Sequence, residues 1–289
     1  MPQRRLIFWV ALAMLAFAAN SLLCRLALKH TGIDPASFTA VRLLSGAAML
    51  WTVVLWRRRR AGSDGANPPP GDWRTATALF VYAAGFSFAY VSLPAGTGAL
   101  LLFGAVQATM VSGGLWQGEH LRPLQWAGLA LALAGLAALV WRGLAAPSIS
   151  GAVLMLLAGV AWGIYSLRGR RQPPGAKPDP AEVSAGHFSR AARLAVLLGA
   201  VMWPQLSVDG AGLVYAVASG AVASALGYLV WYRVLPALKS THAATVQLSV
   251  PVLAALGGVV LLGEAITAPM VLASAAILGG IALVIRARA

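Results

Sequence analysis

The segment GEHLRPLQWAGLALALAGLA at residues 118–137 returns as GEAITAPMVLASAAILGGIA at residues 263–282. Six positions are identical without a gap, and the offset is 145 residues, half of the 289-residue chain. Further upstream, Leu93-Pro94-Ala95 returns as Leu235-Pro236-Ala237, and Gln107 returns as Gln247. Self-similarity at a fixed offset predicts a fold that is built from two related halves.

The composition places both halves in a membrane. Of all residues, 59% are hydrophobic and only 10% are charged, and the mean hydropathy is +0.77. An ordinary soluble domain carries roughly 25% charged residues, so a soluble fold is excluded, and the abundance of apolar residues excludes disorder. The single cysteine, Cys24, excludes an internal disulfide and any site that needs several thiolates.

Continuous apolar runs of near-spanning length follow one another along the chain. A transmembrane helix needs about 20 apolar residues, and a barrel strand would alternate instead. The pattern therefore predicts an all-α integral membrane protein with ten transmembrane helices. The predicted spans are residues 6–28, 36–56, 75–92, 97–115, 123–141, 149–167, 183–203, 211–231, 241–262 and 267–285.

The first run and the basic residues define the predicted topology. Arg4 and Arg5 before the first run resemble a signal peptide, but we interpret the run as a retained helix because it continues to Leu28 and nine spans follow. With a cytoplasmic N-terminus, 16 of the 22 Lys and Arg face the cytoplasm, two face outward and four lie within spans. The positive-inside rule then predicts that both termini are cytoplasmic, and the expected location is a bacterial inner membrane.

The net charge of +14 does not indicate nucleic-acid binding, because the basic residues lie in the loops between spans rather than on one face. There they can contact anionic lipid headgroups. The chain has no Gly-x-x-x-x-Gly-Lys phosphate loop, and its loops are too short for a nucleotide-binding domain. ATP-driven transport by this chain alone is therefore excluded.

Each half, residues 1–145 and 146–289, holds five predicted spans. Because five is odd, the second half must enter the membrane upside down relative to the first. Inverted repeats are typical of secondary transporters, whose substrate site lies near the midplane between the repeats. An ancient duplication without a transport role is the alternative interpretation.

Several of these features resemble a known family. The five-plus-five inverted spans, the paired Gly-Glu at 118–119 and 263–264, and the glycine-rich spans 5 and 10 resemble the drug/metabolite transporter superfamily, in its EamA-type branch. Within that branch, Ala161-Trp162-Gly163 with Tyr165, and Tyr82, are similar to the YddG-type exporters of aromatic amino acids. The resemblance covers residues 6–285 and implies an amino-acid or metabolite exporter that works by alternating access.

No acidic residue falls in the middle of a predicted span. The acidic residues are Asp34, Asp64, Asp72, Glu119, Asp179, Glu182, Asp209 and Glu264. Proton- and sodium-coupled antiporters usually place a carboxylate within the membrane. The chain is therefore predicted to transport its substrate down the substrate's own gradient, without a coupling ion.

Polar and aromatic side chains at mid-span depth form the predicted substrate site. Amide side chains bind ammonium and carboxylate groups without carrying charge, and aromatic faces can stack with a side chain or hold an ammonium. An amino acid with an apolar or aromatic side chain suits such a site, although helix packing also produces an aromatic stripe. The predicted substrate-binding residues are Asn20, Ser21, Tyr82, Phe86, Tyr90, Gln107, Trp162, Tyr165, Tyr228 and Gln247.

The arginines within spans admit two interpretations. Arg42 in span 2, and Arg190 and Arg193 in span 7, are either carboxylate attractors at the two mouths or side chains that snorkel to the headgroups. Arg25, near the outer end of span 1, is interpreted as a snorkelling side chain. His187 is the one histidine expected to reach the cavity.

Charged and helix-breaking residues at the ends of the repeats are interpreted as structural. Glu119 and Glu264 precede spans 5 and 10, where a carboxylate meets the positive end of a helix dipole, so both are predicted to be caps. Pro251, with Gly257 and Gly258, predicts a gating hinge in span 9. Close packing of small residues is the alternative for these glycines.

These features together predict a secondary transporter that exports amino acids, with aromatic or apolar ones favoured, or similar small metabolites. A carrier of another metabolite or of a lipid-linked sugar on the same fold stays open. A membrane-embedded enzyme is disfavoured, because no His-Glu-x-x-His and no paired intramembrane aspartates occur. The partners expected are a small-molecule substrate and the lipid bilayer, with no cofactor, metal or nucleic acid, and the chain is expected to act as a monomer, a dimer remaining open.

Overall fold

A computed structural model of the chain describes residues 2–61, 71–118, 120–141, 148–170, 179–265 and 268–286. Most of these residues are helical, and none of them forms a strand. The helices are α1 (Gln3–His30), α2 (Pro35–Ala61), α3 (Trp73–Tyr90), α4 (Ala95–Trp116), α5 (Pro123–Trp141), α6 (Ile149–Arg170), α7 (Pro180–Val201), α8 (Gly210–Val217), α9 (Gly227–Val234), α10 (Ser240–Gln247), α11 (Ser249–Leu262) and α12 (Ala268–Arg286). A π-helical segment, Ala218–Leu226, joins α8 to α9.

Six helical stretches in the described part of the chain are long and apolar enough to cross a membrane. They are Gln3–His30, Pro35–Arg60, Ala95–Trp116, Ile149–Gly169, Gly210–Ala237 and His242–Leu262. Shorter apolar stretches occur at Pro123–Gly135 and Val271–Val284. The prediction of an all-helical membrane protein is confirmed, and these stretches account for six of the ten predicted spans.

The Gly-Glu repeat marks equivalent helix ends in the two halves. Gly118 follows α4 with a φ of +82°, and Gly263 follows α11 with a φ of +63°. A left-handed residue after a helix is most often glycine, because a β-carbon is unfavourable there. The two glycines therefore recur because each one terminates a helix at the same place in its half.

Aspartates cap equivalent helices in the two halves. Asp34 accepts a hydrogen bond from Ala36 N at the start of α2, at 2.8 Å, and Asp179 accepts one from Ala181 N at the start of α7, at 2.9 Å. Asp72 and Asp209 cap α3 and α8 in the same way. Each cap satisfies a backbone donor that the first turn of a helix leaves free.

Partner helices from the two halves run antiparallel. Asp34, before α2, is bonded to Ser207, after α7, while Arg57, near the end of α2, is paired with Asp179, before α7, at 2.9 Å. The bundle thus has an Asp34 face, at the start of α2 and end of α7, and an Asp72 face, at the start of α3 and end of α6. In the first half α3 packs against α6 of the second half. The equivalent helices, α8 and α9 of the second half, pack against α1 of the first half.

Candidate functional site

A buried polar cluster lies where α1 and α3 meet the π-helical segment. Asn20 Nδ2 donates to the Tyr82 hydroxyl at 3.1 Å. The Ser219 hydroxyl donates to Asn20 Oδ1, and the Ser224 hydroxyl reaches the same atom at 3.5 Å. All four side chains are buried. Asn20 therefore joins the two halves at the centre of the bundle.

The π-helical segment explains how both serines reach this cluster. In a π-helix the backbone hydrogen bonds join residues five apart, so Ser219 and Ser224 lie on one side of the segment. In an α-helix they would be about 140° apart. π-helical turns are rare and frequently occur at functional sites. The sequence analysis did not identify these serines as site residues. The only hint in the sequence that they share a side is their spacing of five residues.

Arg42 lies beside this cluster and is only 1% exposed. Its Nε donates to Ser224 Oγ at 3.1 Å, and its Nη2 donates to the hydroxyls of Tyr82 at 2.9 Å and Tyr228 at 3.4 Å. The guanidinium carbon lies 4.9 Å from the centre of the Phe86 ring, a cation–π distance. The snorkelling interpretation of Arg42 is therefore wrong, and the residue lies at the centre rather than at a mouth.

Aromatic rings from both halves surround Trp162. Its ring centroid lies 4.7 Å from that of Tyr228, 5.0 Å from Tyr82, 5.4 Å from Phe17 and 5.5 Å from Tyr165. These rings come from α1, α3, α6 and α9, and all are buried. Ring centroids about 4.5–7 Å apart are typical of favourable aromatic pairs, and the Phe17 contact is edge-on while the Tyr165 contact is stacked. Four predicted site residues are thus brought together as expected.

The Trp162 indole also has a polar partner. Its Nε1 donates to Gln247 Oε1 at 2.8 Å, and Gln247 Nε2 donates to Ala243 O at 3.1 Å and faces Met110 Sδ at 3.3 Å. Gln107 is buried, but its Oε1 has no hydrogen-bond partner among the described residues. The two repeat-related glutamines are therefore both central, but only Gln247 is fully bonded.

A break in the ninth predicted span lies beside Gln247. α10 ends at Gln247 and α11 begins at Ser249. The cause is Pro251, which lacks an N–H and whose ring would collide with the carbonyl four residues earlier, that of Gln247. A β-carbon on Gly257 would overlap the Leu22 side chain, and one on Gly258 would overlap the Glu264 carboxylate. The glycines are thus close-packed, and the gating hinge stays a prediction.

A small cavity lies beside Trp162 among the described residues. It has a volume of about 10 Å³ and is lined by Phe17, Ser21, Tyr82, Phe86, Leu102, Phe103 and Trp162. That volume is enough for about one water molecule and far too small for an amino acid. An amino acid can therefore occupy this cavity only if the side chains and helices around it move apart.

Hydrogen bonds close the Asp34 face above the cluster. Arg25 Nη1 donates to Tyr90 O at 2.8 Å and Val91 O at 3.1 Å, so the snorkelling interpretation of Arg25 is wrong. Glu264 Oε1 accepts from Ala95 N at 3.1 Å, so its carboxylate caps α4, a helix of the other half. The Tyr90 hydroxyl donates to Ala95 O at 3.2 Å, which places Tyr90 in this closure and not with Tyr82. The equivalent predicted cap, Glu119, lies outside the described residues.

Asp72 links two partner helices at the other face. It accepts from Arg168 Nη2 at 3.1 Å, and His187 Nε2 lies 3.8 Å from its other oxygen. Burial alone would raise the pKa of this carboxyl, but the Thr75 hydroxyl and amide and Arg168 outweigh burial and hold the pKa below its usual value. Asp72 is therefore an ionised link between α3 and α6.

The remaining basic residues of α7 do not join the centre. Arg190 Nη1 donates to Gly186 O at 3.0 Å, and its guanidinium lies 6.0 Å from the Trp73 ring. Arg193 is exposed along a groove between α2 and α7. His187 is buried, with its ring centre 5.7 Å from that of Tyr165. Arg42 therefore has no arginine counterpart from α7 in the cluster.

A substitution of Asp34 tests how much the hydrogen bonds at the Asp34 face stabilise the fold. Its second oxygen accepts from Ser207 N at 2.9 Å, in addition to capping α2. We expect Asp34→Ala to lower the free energy of unfolding by about 2 kcal/mol, because loss of a cap alone costs about 1 kcal/mol. The measurement is thermal unfolding in detergent, followed by tryptophan fluorescence. The matched control Asp209→Ala removes only a cap, and equal losses would mean that the bond to Ser207 adds nothing.

The effect of Asp34→Ala should also depend on pH. Burial alone would raise the pKa of Asp34, but hydrogen bonds from Ser37, Ser207 and Ala36 hold it below its usual value. A carboxyl with a lowered folded pKa stabilises the fold above its unfolded pKa and loses that contribution as the pH falls through the folded value. The stability difference between wild type and variant should therefore shrink in acid, and a growing difference would contradict this assignment.

Comparisons with known proteins place the chain in context. The model of the EamA-like transporter family matches residues 4–141 and 149–286, one match in each half. The protein "Uncharacterized protein PA1977" of Pseudomonas aeruginosa is 56% identical over 288 residues, which covers 100% of this chain and 97% of that protein. A solved crystal structure is similar at 24% identity with a TM-score of 0.76, covering 99% of both chains, which supports the fold alone.

More distant relatives have names that indicate their cargo. The threonine/homoserine exporter RhtA of Salmonella typhimurium is 35% identical over 164 residues, or 54% of this chain and 53% of RhtA. A probable amino-acid metabolite efflux pump of the same species is 28% identical over 65% of this chain and 67% of the pump. The resemblance to the superfamily and its EamA branch is confirmed, whereas these relatives do not support the narrower resemblance to YddG.

Proposed function

The chain belongs to the EamA-like transporter family, and from that premise we propose that it exports amino acids across the inner membrane by alternating access. The observation that carries the proposal is the buried centre around Trp162, which both halves build from aromatic rings and uncharged polar groups. Amides and hydroxyls can bind an ammonium or a carboxylate. The rings can pack against an apolar or aromatic side chain.

The proposed topology has ten spans in two inverted halves, residues 1–145 and 146–289, with both termini cytoplasmic. The antiparallel course of α2 and α7 supports inversion, because these helices occupy the same place in their halves. The basic residues Arg57, Arg168 and Arg190 lie toward the Asp72 face, which the positive-inside rule assigns to the cytoplasm. Both halves lie in one chain, so a monomer suffices for transport.

The proposed substrate-binding residues lie on six of the proposed spans. The polar group is formed by Asn20, Tyr82 and Gln247, and the aromatic group by Phe86, Trp162, Tyr165 and Tyr228. Ser21 lines the small cavity beside Trp162. The unbonded Gln107 oxygen is a buried acceptor that suits an ammonium. Opening is proposed to use the break before Pro251, with Gly257 and Gly258 farther along the same span.

Transport is proposed to be facilitative. Every described carboxylate lies outside the polar cluster, at or beside a helix end: Asp34, Asp72, Asp179, Glu182, Asp209 and Glu264. Proton- and sodium-coupled carriers usually place a carboxylate in the cargo pathway within the membrane. Because no described carboxylate lies in the cluster, cargo is proposed to move down its own concentration gradient.

Counterflow into liposomes tests this function. Purified protein is reconstituted into liposomes preloaded with unlabelled L-threonine, L-homoserine or L-phenylalanine, and uptake of the labelled form is measured without an ion gradient. We expect uptake at least tenfold above that of protein-free liposomes, and no change when a protonophore is added. An absence of counterflow for all three would overturn the amino-acid cargo, and uptake that requires an imposed pH or sodium gradient would overturn the facilitative mechanism.

The three probes also distinguish the cargo classes that the residues and the relatives favour. The aromatic walls favour L-phenylalanine, because ring contacts at about 5 Å stabilise an aromatic side chain. The name of RhtA favours L-threonine and L-homoserine. Preference for L-phenylalanine would support the aromatic walls as the specificity determinant, whereas preference for L-threonine would assign specificity to the hydroxyls and amides.

A further inference from the structure

The buried charge of Arg42 has no counter-ion. Among the described residues, no carboxylate lies within 4.0 Å of its guanidinium, and every ion pair found there involves other residues. Removing a lone charge from water is costly unless an opposite charge or several hydrogen bonds compensate for it. A position at the centre of a bundle is therefore unfavourable for arginine unless the charge has a use there.

The hydrogen bonds of Arg42 are also incomplete. A guanidinium has five N–H donors and no acceptor. Nε and Nη2 are bonded to hydroxyls, but Nη1 is buried without a partner. Asn20 also uses its amide N–H toward Tyr82. The cluster thus presents more donors than acceptors, and a negatively charged ligand with two oxygens would correct this imbalance.

We infer that Arg42 is the receptor for a carboxylate group of the cargo. The inference rests on the proposed function and adds a chemical requirement to it: the transported molecule carries a free carboxylate. Arginine and carboxylate can form two parallel hydrogen bonds, and this geometry is stronger and more specific than a single ion contact. Nη1 supplies one free donor for such a pair, and Nη2 supplies the second when the carboxylate displaces the Tyr82 or the Tyr228 hydroxyl from it. The hydroxyls of Tyr82 and Tyr228, now bonded to Nη2, lie beside it.

The surroundings of Arg42 favour a monocarboxylate over other charged groups. An ammonium or a cationic drug would be repelled by the guanidinium. A phosphate dianion would need a second positive group, and no other arginine or lysine bonds to the cluster among the described residues. In a zwitterionic amino acid, the carboxylate would meet Arg42 while the ammonium meets uncharged acceptors or aromatic faces.

Ligand-dependent melting of the purified full-length chain tests the inference. The probe is L-threonine, compared with its amide and methyl ester, in which the negative charge is absent; L-phenylalanine and its amide form a second series. The variants are Arg42→Met, which keeps a long apolar side chain but removes the charge, and Arg42→Lys, which keeps the charge but not the planar guanidinium. The matched control is Arg193→Met, on the exposed groove of α7.

The inference predicts a specific pattern. The free amino acids raise the melting temperature of wild type and of Arg193→Met. The amides and esters need at least a tenfold higher concentration for the same rise. Arg42→Met binds the free amino acids at least tenfold more weakly than wild type, because the bidentate partner of the carboxylate is lost. Arg42→Lys recovers part of the binding. A merely structural Arg42 would instead leave both the affinity for the free amino acids and the discrimination against amides unchanged in the folded variants.

The outcomes separate this inference from the proposed function. Amino-acid counterflow by Arg42→Met at the wild-type rate would overturn the carboxylate receptor and leave the exporter intact. Arg42-dependent binding of lactate, with no counterflow of any amino acid, would overturn the amino-acid cargo and support the receptor. If Arg42→Met does not fold, the ligand series on wild type decides, because equal binding of L-threonine and its amide would overturn the receptor.

Discussion

Replacing Gly220 with alanine is expected to lower the free energy of unfolding by about 3 kcal/mol, at the upper end of the cost of overpacking. Gly220 lies in the π-helical segment and packs directly against α2. A β-carbon there would overlap the Arg42 carbonyl oxygen and the Ser45 hydroxyl, and it would lie 2.8 Å from the Arg42 carbonyl carbon. Two of these atoms belong to the backbone, so no side-chain rotation can relieve the overlap, and α2 must shift.

The melting temperature in detergent measures this effect. A loss of about 3 kcal/mol should lower it by roughly 5 to 10 °C for a chain of this size. Gly199→Ala is the matched control, because Gly199 also lies in a helix and a β-carbon there meets nothing within 4 Å. The control should be neutral or slightly stabilising. If the two variants melt together, α2 and the π-helical segment are not in backbone contact.

The same contact explains why Arg42 is central. Because Gly220 has no side chain, the π-helical segment approaches α2 at the turn that carries Arg42, and Ser224 comes within 3.1 Å of Arg42 Nε. Gly220→Ala should therefore also weaken any ligand that Arg42 holds. Stability and binding are coupled at this contact, since both depend on the distance between the same two backbones.

Much of the central site could be predicted from sequence, because the number of residues between a side chain and the ends of its span predicts its depth in the membrane. Asn20, Tyr82, Trp162, Tyr228 and Gln247 were expected at mid-depth, and all are buried and in contact with one another or with a common neighbour. The break before Pro251 follows in the same way from the covalent geometry of proline. These features depend on position along one helix and not on its neighbours.

Features that depend on neighbouring helices could not be predicted in this way. The distance of Arg42 from the end of its span is equally consistent with snorkelling. Its inward direction depends on hydroxyls of other helical segments, those of Ser224, Tyr82 and Tyr228. Glu264 was expected to cap the helix after it, but its carboxylate bonds to Ala95 at the start of α4. Ser219 and Ser224 share a side only because the helix is locally π-helical, which no α-helical periodicity predicts.

Replacing Trp162 with alanine is expected to reduce amino-acid counterflow more than tenfold. The indole contacts rings from three other helices and satisfies Gln247 Oε1. Its removal takes away a large aromatic surface at the proposed site and leaves a buried acceptor without a donor. Loss of a buried tryptophan also costs about 3 to 5 kcal/mol of stability, so counterflow must be compared per amount of monodisperse protein in the liposomes.

A milder pair of variants separates binding from folding. Trp162→Phe keeps a ring but removes the N–H, and Gln247→Ala removes the acceptor; each breaks the 2.8 Å hydrogen bond, a change that costs about 1 to 3 kcal/mol when a polar partner stays buried. Trp116→Ala and Gln117→Ala are the matched controls, since Trp116 is 94% exposed and Gln117 is exposed beside it. Both controls should transport at the wild-type rate.

The pattern across these variants decides where the cargo binds. If Trp162→Phe retains most transport while Gln247→Ala loses it, the amide contacts the cargo and the indole mainly provides packing surface. If both lose transport and the double variant loses no more than either one, the two side chains act as a unit, because the second change removes nothing that the first had left. Wild-type counterflow in all Trp162 and Gln247 variants would leave the exporter in place but move its binding site away from the Trp162 centre.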